Sequence, residues 1–153
     1  MHKPFGRTIG ALLCIAVASL FVACAKDDVT PVDEEKQAFE DLRAEIVEAI
    51  TDPAREAETI RLVGALEEDL AILRSSIAER KAAARELNAN YDTTRAEFEA
   101  FLARMEAEVR DNRQQVSKTH QVFLANVTPE ERSAIAKTHT KAMNAAIKTI
   151  QAI

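Results

Sequence analysis

The chain has 153 residues, with 20 lysines and arginines against 25 aspartates and glutamates and a net charge of −5. That acidic balance, with no basic stripe, argues against nucleic acid as a partner. Three glycines in the whole chain leave no glycine-rich phosphate loop, and the length supports one domain with a modest core.

Lys3 and Arg7 make a short basic leader, and residues 8–23 carry no charge and are mostly apolar. This is the build of a secretory signal, and the apolar run is short for a membrane-spanning helix. It ends in Phe21-Val22-Ala23-Cys24, which resembles a bacterial lipobox, with Phe21 where leucine is usual. The resemblance implies cleavage between Ala23 and Cys24 and lipidation of Cys24 with palmitate-type acyl chains. Several chains on one residue hold a membrane better than the marginal grip of one. Ala25, where an aspartate would signal inner-membrane retention, favours the outer membrane. Residues 1–23 are thus expected to be a signal peptide, 24–30 a lipidated tether and 31–153 a helical domain facing the periplasm. Cys14 leaves with the signal, so the mature chain holds Cys24 alone and no disulfide.

Alanine, glutamate, leucine and arginine dominate the remainder, which is helix chemistry. Thr30-Pro31, Asp52-Pro53 and Thr128-Pro129 each place proline at a first helical position behind a capping residue. Thr30 has Asp33, and Thr128 has Glu131, at capping-box spacing. The first helix is expected over about 31–51, with Phe39, Leu42, Ile46 and Ile50 on one face. The last is expected over about 129–152, with Ile135, Ala142, Met143, Ala146, Ile147 and Ile150 inward.

Between them Val63, Leu66, Leu70, Leu73, Ile77, Ala84, Leu87, Tyr91, Thr94, Phe98, Phe101 and Met105 follow coiled-coil spacing. The stripe resumes, one residue out of phase, at Val109, Val116 and Phe123. As one helix this stretch would be about 110 Å long and would leave its middle third uncovered. A turn over Asn88–Asp92 would instead give helices of about 53–88 and 93–126, with Asp92 or Thr94 as the new cap. The expectation is therefore an all-α fold, a long antiparallel hairpin with a shorter helix packed at each open end. Ile77 would then pair with Leu102, Leu70 with Val109 and Val63 with Val116. The alternative is a single long coiled-coil helix that oligomerises.

No Ser/His/Asp, Cys/His or HExxH arrangement is present, so no catalytic residues and no cofactor are expected, and the chain reads as a non-enzyme. Phe98, Phe101, Leu102 and Met105 crowd one segment. Phe101 and Leu102 point about 100° apart, so one of them is a candidate client or dimer contact. Tyr91 is a candidate cap over the hairpin tip. His120, His139 and Met143 are the weak candidates for metal. Folding at Val127 sets His120 opposite about residue 135 and His139 about 6 Å further along the axis. That offset is awkward for two ligands of one ion and favours a surface reading and no metal.

Val29-Thr30-Pro31-Val32-Asp33 and Val127-Thr128-Pro129-Glu130-Glu131-Arg132, with Tyr91-Asp92 between them, resemble the paired LTxxQ motifs and aromatic-Asp turn of Spy/CpxP-type periplasmic proteins. Valine stands for leucine in both motifs, and Asp33 and Glu131 stand for glutamine. The resemblance implies a helical hairpin that binds client proteins or a sensor partner in envelope stress response, without ATP. A structural or adaptor lipoprotein is the first alternative, and metal sensing, which some relatives of the fold perform, is the second. The membrane through its lipid anchor, protein clients and a second copy of the chain are the partners expected.

Overall fold

The computed structural model describes residues 30–153; the signal, the lipobox and Cys24 lie outside the described residues. Four helices fill this span: α1 Pro31–Ala49, α2 Pro53–Ala89, α3 Arg95–Asn126 and α4 Pro129–Gln151. The Asp52 carboxylate accepts hydrogen bonds from the Ala54 and Arg55 N–H groups at 2.9 and 3.1 Å and so starts α2. Thr94 with Glu97, and Thr128 with Glu131, form reciprocal capping boxes at the heads of α3 and α4. Each box satisfies donors that the first turn of a helix leaves unpaired. Replacing the hydroxyl of one such cap costs about 1 kcal/mol. Thr128→Ala is accordingly expected to lower the melting temperature by about 4 °C. An unchanged melt would show that the start of α4 draws no stability from the hydroxyl.

The chain reverses between α2 and α3, as the hairpin expectation requires. The Asn90 N–H reaches back to the carbonyls of Glu86 and Leu87, and the Asn90 side-chain oxygen accepts the Asp92 N–H at 3.1 Å. This Asx turn replaces the helical bonds that a continuous rod would need. The reversal falls later than expected, with α2 running to Ala89 and α3 starting at Arg95. Each residue by which a turn centre moves shifts the facing pairs by two. Asp69 therefore meets Thr119 and Gln115, whereas the expected register would set it opposite residue 110.

α1 and α4 run antiparallel and fasten to each other at the open end of the hairpin. Thr149 donates to the Pro31 carbonyl at 3.0 Å, Lys148 pairs with Glu34 at 2.5 Å, and Lys141 pairs with Asp41 at 2.6 Å. Arg43 with Glu67, and Arg74 with Glu35 at 2.7 Å, tie α1 to α2. The core lies in this four-helix part. Phe39, Leu42, Ile46 and Ile50 meet Leu62, Val63, Leu66 and Leu70 from α2, Phe123 from α3, and Ile135, Ala142 and Ala146 from α4. The face expected for α1 is the face that is buried. On α4 the stripe is rotated slightly: Ile147 is exposed and Thr149 is buried. Thr149 can take an apolar position because its hydroxyl donates to the Ala145 and Pro31 carbonyls.

Candidate functional site

Beyond the four-helix part, α2 and α3 continue as an arm packed chiefly by each other, with Arg74 paired to Glu35 and Lys81 donating to the Ile153 carbonyl near its base. Past Leu73 on α2 and ahead of Val109 on α3, Phe101 is the one buried apolar residue among the described residues. Its ring lies 6.4 Å from that of Phe98, and the Arg104 guanidinium sits 5.9 Å above it. Ile77, Leu87, Phe98 and Met105 are half-buried. Of the pair that points 100° apart, Phe101 is 5% exposed and Leu102 is 39% exposed. The four residues singled out in the sequence thus divide: Phe101 holds the arm together, Phe98 and Met105 flank it, and Leu102 faces outward.

Two grooves of unlike charge lie at the base of the arm. One, of about 490 Å³, is lined by Ile72, Glu79, Glu108 and Asp111 with small polar neighbours. The other, of about 270 Å³, is lined by Arg80, Arg110 and Arg113 with Glu106 and Val109. Tyr91 does not cap the tip. The Asx turn projects it into solvent, fully exposed at 104%.

The opposite end of the hairpin is locked by a polar cluster that the sequence pattern did not reveal. Arg55 on α2 grips Glu131 on α4 in a two-pronged pair at 2.7 and 2.8 Å. Such bidentate geometry is the strong form of a charge-assisted bond. Glu131 also accepts the Thr128 N–H at 2.9 Å. The Arg55 guanidinium, first, and the Thr128 N–H, second, hold the Glu131 carboxyl below the usual range. Asn126 on α3 donates to Thr59 at 2.8 Å and to the Arg55 carbonyl at 3.3 Å. Three helices thereby meet at one set of hydrogen bonds. The capping-box spacing identified Glu131, but nothing local in the sequence identified Arg55 as its partner, 76 residues away.

The two histidines of the described residues are brought together, contrary to the expected offset. His120 Nε2 and His139 Nε2 are 2.9 Å apart. The ring planes differ by 3° with centroids 5.0 Å apart. The rings are therefore parallel and meet through their Nε2 edges rather than face to face. The reason for the closure is the direction of helical side chains, which lean toward the N-terminus of their own helix. In an antiparallel pair, His120 leans away from the α3–α4 turn and His139 leans toward it, and the offset along the axis is closed. Phe123, fully buried one turn along α3, lies nearly parallel to both rings, 5.4 Å from His139 and 6.4 Å from His120. Burial pushes both imidazoles below the ordinary histidine range, and the neighbouring His120 adds to the effect at His139. At neutral pH one ring therefore donates its N–H to the lone pair of the other. Met143, a turn beyond His139, packs against the core.

Among the described residues no group of three or more histidine, cysteine, aspartate or glutamate side chains is placed to hold a metal. No described helix is long and apolar enough to cross a membrane. Comparison with family models, with curated proteins and with solved structures gives no match.

Proposed function

We propose that this chain is a non-catalytic envelope lipoprotein, held to the membrane through Cys24, that binds client proteins or a sensor partner along the α2–α3 arm without ATP. The observation that carries the reading is the arm itself. Beyond the core cluster it buries only Leu73, Phe101 and Val109 among the described apolar residues, and it presents exposed Ile72 and Leu102 and grooves of both charges. Apolar side chains framed by charges suit segments of another protein that are themselves mixed in character. The resemblance of the Val29–Asp33 and Val127–Arg132 motifs to the Spy/CpxP type supports the same reading.

The test is suppression of aggregation of unrelated unfolded proteins. Leu102→Ser is expected to weaken suppression at least threefold while moving stability by no more than about 0.5 kcal/mol, as surface changes do. Phe101→Ser is expected to lower the melting temperature of the arm together with activity. Full suppression by a folded Leu102→Ser variant would remove the arm from the binding surface. No suppression by the native chain, with recovery of one fixed partner from envelope extracts, would favour the adaptor reading.

A further inference from the structure

The arm and the start of the described domain point the same way. α1 runs antiparallel to α2, with Arg43 paired to Glu67 and Arg74 to Glu35. The four residues from Glu35 back to Pro31 therefore climb α2 and set Pro31 level with about residue 78. Thr149 donates to the Pro31 carbonyl, and Lys81 donates to the Ile153 carbonyl, so α4 ends at that level too. The turn at Asn90 stands about 12 residues, or about 18 Å of helix rise, beyond it. The stretch 24–30 can reach about 24 Å at most, and a flexible chain of that length averages about 15 Å. A domain held from Cys24 thus brings its arm tip to the bilayer before any other part. Given the lipidation of Cys24 proposed above, on which this contact depends, we propose that residues 87–94 rest on the lipid surface that holds the anchor, with Tyr91 at the headgroup level.

The chemistry of the tip suits that surface. Asp92 is the only charge in residues 87–94. Asn88, Ala89, Asn90 and Tyr91 are all exposed, and the Asx turn holds the Tyr91 ring out into solvent. Tyrosine joins an apolar ring to a polar hydroxyl, the combination that settles at membrane interfaces. The Asn88 amide can donate to headgroup oxygens. The flanks of the arm are unlike the tip: Glu79, Lys81, Arg85 and Glu86 are exposed charges that would lie against lipid if the arm lay flat. Arg85 and Arg95 are matched by Glu86, Asp92 and Glu97, so no basic cluster draws the tip to anionic lipid. The tether supplies the closeness instead, by making the contact intramolecular. Standing on its tip, the arm keeps both sides open to the periplasm.

The chain has one tyrosine and no tryptophan, so its tyrosine emission reports on Tyr91 alone. The experiment places the processed native chain, its acylation checked by mass spectrometry, in phosphatidylethanolamine vesicles with a minor share of phosphatidylglycerol. With a nitroxide on a fraction of the headgroups, the emission is expected to fall about twofold, since the tether keeps the ring at headgroup level. Added salt or more phosphatidylglycerol should leave that loss unchanged. Tyr91→Phe combined with Ser133→Tyr moves the reporter to an exposed site at the head of α4, about 40 Å from the tip along α3. Its emission should be unaffected by the nitroxide. An acylated native chain whose tyrosine is not quenched, or a Ser133→Tyr reporter quenched as strongly, would overturn the tip contact and leave the lipoprotein reading standing. An unacylated residue 24 would overturn both.

Discussion

Phe123→Ala is expected to destabilise the domain by about 3–5 kcal/mol, the usual cost of emptying a buried aromatic site. Phe123 is fully buried and belongs to the same cluster as Phe39, Leu42, Leu66 and Ile135. It is also the single phenylalanine that α3 contributes to the four-helix core. A domain of this size is stable by about 5–15 kcal/mol in all. The change would therefore remove a large share of that stability and lower the melting temperature by more than about 10 °C. A second effect should accompany it. The ring supports both imidazoles, so histidine proton resonances that differ in the native chain should converge toward free values. Chemical denaturation followed by circular dichroism measures the first effect. A loss below about 1 kcal/mol would mean that α3 does not pack where it is placed.

Cys24→Ala is expected to abolish incorporation of labelled fatty acid and to leave the chain unprocessed or in the wrong fraction. The motive is the sequence Phe21-Val22-Ala23-Cys24 at the end of an apolar run. No described helix is long and apolar enough to cross a bilayer. Two or three acyl chains would contribute about 0.8 kcal/mol for each buried methylene; on the lipobox reading the cysteine would separate a membrane-held protein from a free one. Mass spectrometry of the native protein from a bacterial envelope is the direct check. An unmodified residue 24 would end the lipoprotein reading, while the helical domain and its arm would stand unaltered.

Much of the architecture is written in local chemistry. Proline behind Asp52 and Thr128 marked two helix starts to the residue, because a cap and a missing N–H are properties of adjacent positions. Thr94 with Glu97 marked a third, one of two caps left open by the sequence. The α1 face was legible because Phe39, Leu42, Ile46 and Ile50 leave no second apolar stripe on that helix. Register was not legible. A seam with a 3.5-residue period fits itself at several offsets, and the Asn90 turn, closed by backbone bonds and one side-chain bond, selects among them. The histidine pair was misjudged from positions along helix axes, since the lean of the side chains was left out. Arg55 and Glu131 could not be paired, because their contact depends on where two separate turns bring α2 and α4.

The α1–α4 pairing has a consequence for how the chain acquires its fold. The contacts that fasten these helices join residues 100 to 118 positions apart. α2 and α3, in contrast, can close on each other as soon as the Asn90 turn has formed. A polypeptide that emerges N-terminus first presents Phe39, Leu42 and Ile46 long before Ile135, Ala142 and Ala146 exist to cover them. Loop closure over such separations is slow compared with hairpin formation. The native topology therefore assembles from the middle outward, and its first helix is completed by its last. Until then the apolar face of α1 is only partly covered, by Leu62, Val63, Leu66 and Leu70 of α2.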